Sequence, residues 1–450
     1  MLQDDVQDLQ ADRLVIRDSL DSPNASAPRP TVHFINPHLD PMVKDSIVNA
    51  EDASQQEKVA ETPPEPLQEQ RNNKDDNELQ STAAQEYVPI VSSHFTQTSI
   101  NAALGDKDAQ IALGHMYKRG KGVQQDYQAA MEWYRRAADQ GYAVGERRVC
   151  YMYLYGLGVA RDYSLALTWS LKAAAQGDAR AQLVVGNIYR LGLGVTKDFS
   201  KAMEFYLLCA GQGNADAQNH IGNFYFDGCG VPQDYSQALD WYNKAAAQDD
   251  QHGQYNLGEM YRDGQGVTQN FTKAKEWFIK AAEQGHADSQ ANVGFLYRDG
   301  KGVVRDYSEA RRWFLKAAKQ GEACSQHNLG CLHYNEQGGA RDYVQAMTWI
   351  RKAADQDFML AQYHVGHMYQ HGHGVDADYS QASKWLLKAA KQGYDEAQFD
   401  VGRLYEYGDG VPQDISAAKE WYLKAAKQGY MEAQTRLTYI HQQGSYFFGL

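Results

Sequence analysis

A 36-residue pattern recurs without a gap through most of this chain, and no other feature limits its fold as strongly. The cleanest copy is GYDEAQFDVGRLYEYGDGVPQDISAAKEWYLKAAKQ, residues 393–428; matching copies begin at Gly105, Gly141, Gly177, Gly213, Asp249, Gly285, Gly321 and Asp357. A fixed period of this length is the signature of stacked helical units, each burying its apolar face against its neighbours. A chain of 450 residues is also too long for a single core. The expected fold is therefore an all-α solenoid of helix-turn-helix repeats.

Numbering each copy from its first residue exposes the two helices. Position 9 is always Leu, Val or Ile (Leu113, Val149, Val185, Ile221), and position 12 is always apolar (Met116, Met152, Ile188, Phe224). With a small residue at 5 and Tyr at 13, these make one stripe of an amphipathic helix A over positions 3 to 15. The glycines of Gly120-Lys121-Gly122-Val123 and its counterparts then stop it, as C-caps needing positive φ. They follow a helix and precede a cap, so they are not a phosphate cradle, which needs a strand before it. Helix B begins after Asp126, Asp162, Asp198, Asp234, Asn270, Asp306, Asp342, Asp378 and Asp414, side chains that accept from amides at a helix start. It carries Ala at 26, an aromatic at 29 and, in all copies but one, Ala-Ala at 33 and 34. All eight tryptophans fall at position 29, with Phe205 in the ninth copy, and are expected in the core.

Outside the repeats the composition changes. Residues 1–95 hold nine of the eleven prolines and only three aromatic residues, too little apolar surface to offset ordering entropy, so a disordered acidic arm is expected. Its apolar clusters, Leu14 to Ile16, Val32 to Ile35 and Val88 to Val91, are candidate short partner motifs. Residues 96–104 are expected to form an N-terminal capping helix, 105–428 the nine repeats, and 429–450 a half-repeat ending in an apolar cap of Tyr446, Phe447, Phe448 and Leu450. Residues 1–104 carry 18 acidic and 7 basic side chains, so nearly all of the net charge of −13 sits there. The near-neutral array has no basic footprint for nucleic acid.

No apolar run reaches the roughly 18 residues a membrane span needs, and MLQDDVQDLQ lacks the basic start and apolar core of a secretory leader. Five cysteines at five different frame positions make no disulfide framework. These features predict a cytoplasmic, non-membrane-spanning chain with reduced thiols, the nucleus remaining open.

The pattern Gly-x-x-x-Ala-Gln-x-x-Leu-Gly-x-x-Tyr-x-x-Gly-x-Gly-Val-x-x-Asp-Tyr-x-x-Ala-x-x-Trp-Tyr-x-Lys-Ala-Ala-x-Gln closely resembles the Sel-one-like repeat family, relatives of the tetratricopeptide repeats, over residues 105–441. The resemblance implies a right-handed superhelix with helix A on its concave side. It also implies a non-catalytic scaffold or adaptor, in signalling or protein quality control, that binds other proteins. Two copies depart from the pattern. The second has Gly145, Glu146 and Cys150 for Ala, Gln and Gly; the seventh has His333, Glu336 and Gly339 for Tyr, Gly and Val. A changed turn in the seventh and softer joints at both are expected.

Positions 8, 11 and 15 lie opposite the helix A stripe and differ from copy to copy, which makes them the candidate binding ribbon. Position 8 reads Asn256, Asn292 and Asn328 in consecutive copies, flanked by His220 and His364. Repeats stack about 10 Å apart and an extended chain rises about 3.3 Å per residue, so one Asn could meet a partner backbone about every third residue. Tyr255, Phe295, Tyr363 and Tyr407 would add specificity. A second reading is a metal-binding protein using His364, His367, His371 and His373, with His333 nearby, because histidines four apart on a helix can share an ion. A third is a structural oligomer joined through its ends. The sequence shows no singular nucleophile and base arrangement, and the expectation is no enzyme activity, no cofactor and no assigned metal ligand.

Overall fold

The computed structural model describes residues 93–447. The expected arm with its apolar clusters, and the side chains from Gln443 onward that include the expected apolar cap, lie outside the described residues. Twenty α-helices follow one another, and no strand occurs among the described residues. They fall into two compact units, divided in sequence between Cys209 and Ala210 near the end of the seventh helix. In the first, α1 (Ser93–Ala103) precedes the pairs α2 (Lys107–Arg119) and α3 (Tyr127–Asp139), α4 (Ala143–Tyr155) and α5 (Tyr163–Ala175), and α6 (Ala179–Leu191) and α7 (Phe199–Gly211). In the second come α8 (Ala215–Asp227), α9 (Tyr235–Ala246), α10 (Gln251–Asp263), α11 (Phe271–Glu283), α12 (Ala287–Asp299), α13 (Tyr307–Lys319) and α14 (Ala323–Tyr334). They are followed by α15 (Tyr343–Ala354), α16 (Met359–His371), α17 (Tyr379–Lys391), α18 (Asp395–Tyr407), α19 (Ile415–Lys427) and α20 (Met431–Phe447).

Even-numbered helices are helix A and odd-numbered ones from α3 are helix B; helix A spans positions 3 to 15 as expected in eight of the nine copies, while α14 stops at position 14. The cap at position 22 works in every copy; Asp126, for instance, accepts from the amides of Gln128 and Ala129, both at 2.9 Å. Helix A ends in eight copies at a glycine in the left-handed region, from Gly120 at φ 69° to Gly408 at φ 81°.

Helices A and B of one repeat approach closely because position 10 has no side chain. A Cβ on Gly114, Gly186, Gly222, Gly258 or Gly402 would sit within 2.6 Å of the ring at position 30: Tyr134, Tyr206, Tyr242, Phe278 or Tyr422. Those rings, not the tryptophans one place earlier, are the fully buried ones. Trp313 and Trp385 are buried, but the other six tryptophans are half-buried, each roofed by a cation three residues on, as Lys244 lies 3.7 Å over Trp241. The buried hydroxyls find acceptors on helix A: Tyr206 donates to Asn187 and Tyr242 to Asn223, both at 2.8 Å.

A glutamine ladder joins the repeats. The position-36 glutamine donates to the position-6 glutamine of its own repeat, as Gln284 to Gln254 at 2.9 Å, and position 6 donates to a carbonyl of the preceding helix B, as Gln290 to Ala282 at 3.0 Å.

Both departing copies carry compensating contacts. In the second, Cys150 and Ser170, both fully buried, replace the glycine and the ring, so volume moves from one helix to the other. Burial pushes the Cys150 thiol up to about 12, against the opposing Ser170 hydrogen bond. Glu146 keeps the ladder by accepting from Gln176 at 2.7 Å. In the seventh, Glu336 itself takes the left-handed conformation at φ 59°. The Gln337 amide bonds Leu332 O at 3.0 Å, as Lys121 bonds Met116 O at 3.0 Å elsewhere, but the helix stops one residue sooner, at Tyr334, with Asn335 at φ −91° as its cap, so the turn is changed as expected while that bond is kept. Valine is missing from position 19 because Arg311 fills the space beside Gly339, 3.0 Å from His333.

The last full pair is closed by α20. Arg436 holds Glu406 through two bonds, at 2.9 and 2.5 Å, and Tyr422 donates to the same carboxylate at 2.6 Å. Burial alone would raise the Glu406 pKa, but the bonds from Arg436 and Tyr422 outweigh it and hold the carboxyl below its ordinary value.

Two outcomes follow. Cys150→Gly and Ser170→Tyr should each destabilise, by about 1–3 kcal/mol. The double variant should recover much of the loss, a coupling of about 0.5–3 kcal/mol in a double-mutant denaturation cycle; additive losses would contradict the volume exchange. Because the folded pKa of Glu406 is depressed, its contribution is present above about pH 4.3 and is lost as pH falls through the folded value. Glu406→Gln should therefore be less stable than the parent at pH 7 and show a shallower acid loss when unfolding midpoints are compared between pH 7 and 3.

Candidate interaction surface

Position 8 is buried in six of the nine copies. Asn256, Asn292 and Asn328 are each 7% exposed. The Asn256 amide donates to Asn219 at 2.7 Å and to Asn223 at 3.3 Å, both on the preceding helix A. Asn292 donates to Asp288 O at 2.9 Å and accepts from Arg262 at 2.8 Å; Asn328 donates to Cys324 O at 2.8 Å and accepts from Arg298 at 2.6 Å. Arg262 and Arg298 are in turn paired with Asp263 and Asp299, both at 2.7 Å. An incoming main chain would have to break these bonds. In this structure the asparagines of the expected backbone clamp form a set of inter-repeat ties.

The aromatic residues divide. Phe295 and Tyr363 are buried, Phe295 edge-on to Phe314 at 5.0 Å. Tyr255 is half-buried; burial first, and then the nearby Glu259 carboxylate, raises its pKa. Tyr363 is raised in the same way by burial, Asp400 and Glu396. Tyr407 is 52% exposed. His220 is half-exposed, whereas His364 is 1% exposed.

The reason is a contact that a single repeat cannot show: position 8 of one helix A meets positions 7 and 11 of the helix A before it. Asn256 on Asn219 and Asn223 is one case, and Asp400 on His367 at 2.9 Å is another. What remains open is position 15 (Arg119, Tyr155, Leu191, Asp227, Asp263, Asp299, Asn335, His371 and Tyr407), where none of the nine is buried. Arg403 is exposed beside Tyr407, and the Arg436 guanidinium lies 5.6 Å from the Tyr407 ring and 5.0 Å from that of Tyr439.

The expected histidine cluster does not converge. His367 pairs with Asp400, His371 bonds His367 O at 2.9 Å, and His373 bonds the Tyr334 hydroxyl at 2.8 Å and stacks on Tyr343. His333 faces Arg311, and burial followed by that charge lowers its pKa. His364 instead meets two residues the sequence reading passed over, His327 and Cys331 at positions 7 and 11 of the preceding repeat. His327 Nε2 is 2.8 Å from His364 Nδ1, and the Cys331 sulfur lies 3.5 and 3.8 Å from those nitrogens. The contact between positions 7, 11 and 8 is the signal that would have found them. None of the five cysteines is in a disulfide, and no helix among the described residues is long and apolar enough to cross a membrane.

Comparisons with known proteins agree with this architecture. The Sel1 repeat pattern matches nine times, at residues 107–142, 143–178, 179–214, 215–250, 251–286, 287–322, 325–358, 360–394 and 395–430. The chain is similar to a protective antigen present in uropathogenic Escherichia coli strains that displays an SLR fold, at 33% identity over 78% of this chain and 83% of that one, TM-score 0.57. It is also similar to a Sel1 repeat protein from Oxalobacter formigenes, at 31% identity over 69% of this chain and 90% of that one, TM-score 0.52. A search of curated proteins returned no match. With nine copies of the repeat filling most of its length, the chain belongs to the Sel1 repeat family, whose members are generally protein-interaction scaffolds.

Proposed function

We propose that this chain is a non-catalytic scaffold or adaptor in signalling or protein quality control, and that it holds segments of partner proteins along the outer edge of its A helices. The observation that carries the reading is position 15. Beneath it most copies repeat the same core, while along it the side chain varies, apart from Asp227, Asp263 and Asp299 in succession, and is never buried. A uniform frame that presents a variable edge suits recognition of an extended chain, one contact per repeat. At the C-terminal end that edge carries Arg403, Tyr407, Arg436 and Tyr439, and tyrosine and arginine are enriched among residues that dominate binding energy. The asparagines support this edge from inside and do not touch the partner.

Affinity capture from source-cell extract, with the full chain and two variants, tests the reading. Arg403→Ala/Tyr407→Ala should keep parental helix content and melting temperature and lose partners that the parent recovers. The Asn256→Ala/Asn292→Ala/Asn328→Ala variant should lose stability, about 1–3 kcal/mol for each buried hydrogen-bond set left unsatisfied. Recovery of the same partners by the first variant, with partners lost only through the second while it stays fully stable, would return the binding face to the asparagines.

A further inference from the structure

The meeting of His327, Cys331 and His364 supports more than packing. We infer that these three side chains form a binding site for a transition-metal ion of borderline softness, with Zn2+ as the best fit, placed between α14 and α16 so that the ion ties the seventh repeat to the eighth.

The argument begins with spacing. His327 and Cys331 are four residues apart, so they project from the same face of α14. His364 comes from the facing side of α16, 33 residues after Cys331. Their ligand atoms all lie within 4.8 Å of one another, and among the described residues no other His, Cys, Asp or Glu set of three or more comes together in this way. A tetrahedral Zn2+ with Zn–N near 2.05 Å and Zn–S near 2.3 Å needs about 3.3 Å between nitrogens and about 3.6 Å between nitrogen and sulfur. The distances here are 2.8 Å for the nitrogen pair and 3.5 and 3.8 Å to the sulfur. Admitting the ion requires the imidazoles to part by about half an ångström, within the reach of side-chain torsions.

Chemistry and surroundings agree with the spacing. Two imidazoles and a thiolate are the N and S donors that select Zn2+ over Mg2+ or Ca2+. His327 and His364 are 6% and 1% exposed, which holds two ligands in a dry, fixed setting, while half-buried Cys331 leaves a path to solvent. The corresponding slot between the fourth and fifth repeats holds Asn219, Asn223 and Asn256. Amides there satisfy one another, because each donates and accepts at once. Imidazole nitrogens and a sulfur bring lone pairs to one point, which a cation bridges. On binding, the Cys331 thiol gives its proton to solvent and the hydrogen shared between the imidazoles leaves the contact, one ring taking its other tautomer. Three protein ligands leave the fourth position to water.

The test uses the full chain, stripped with chelator and titrated with Co2+ and then Zn2+. One equivalent of Co2+ should give the visible bands of a tetrahedral site and a near-ultraviolet thiolate charge-transfer band, both abolished by one equivalent of Zn2+. Zn2+ should also raise the melting temperature. Cys331→Ser, a small change at a half-buried position, should lose the charge-transfer band, whereas Cys324→Ser and His371→Ala should keep it. His327→Ala or His364→Ala should weaken binding by more than about 100-fold, beyond what outer-shell changes cost. Circular dichroism on these two confirms folding; should they unfold, Cys331→Ser decides. No thiolate band at one equivalent, or a band that survives Cys331→Ser, would overturn the assignment.

Discussion

The close approach of the two helices in each repeat depends on one pairing, a glycine at position 10 under a ring at position 30. With no Cβ on helix A, the ring occupies the space a side chain there would need, and the alanines of helix B are buried beside it. Close packing at protein density leaves no room for both partners to be large. The second repeat observes the same rule in reverse: Cys150 occupies the glycine's place and the facing residue shrinks to Ser170. The seventh and eighth fill the space with Ile350 and Leu386, both fully buried.

Given that spacing within repeats, polar ties fix the spacing between them. The glutamine ladder links several repeats to the preceding helix B, as Gln290 to Ala282, and the contact of position 8 on positions 7 and 11 links neighbouring A helices, as Asn256 to Asn219. Many of these ties are buried or partly buried, and a buried polar group must be satisfied. Their chemistry therefore changes in matched sets: Asn with Asn, His with Asp, Asn with Arg and Asp. The His327, Cys331 and His364 set occupies the same slot, which is why a metal there would act on the joint between repeats and not on the exposed edge.

The two readings of this chain are spatially separate. Partner recognition is assigned to side chains whose exposure survives stacking, and metal binding to side chains that stacking brings together. A polar residue on helix A can serve only one of these purposes, since burial between repeats removes it from any partner.

The sequence by itself determined both helices, their caps and stops, because each of these rests on contacts within one 36-residue unit, and the array, because that unit recurs at a fixed period. Asp126 caps α3 from the next residue along, and Gly120 ends α2 through its own φ. Even the αL position survives a change of residue, as Glu336 shows. What only the tertiary structure decided was which polar positions are inside. A helical wheel gives helix A one covered side, its own helix B, and leaves Asn256, Asn292, Asn328 and His364 on the open side. Stacking covers that side with the neighbouring A helix, 33 to 37 residues away in sequence. Intra-repeat periodicity carries no information about that partner, so the asparagines read as a surface and the meeting of His327 and Cys331 with His364 went unread.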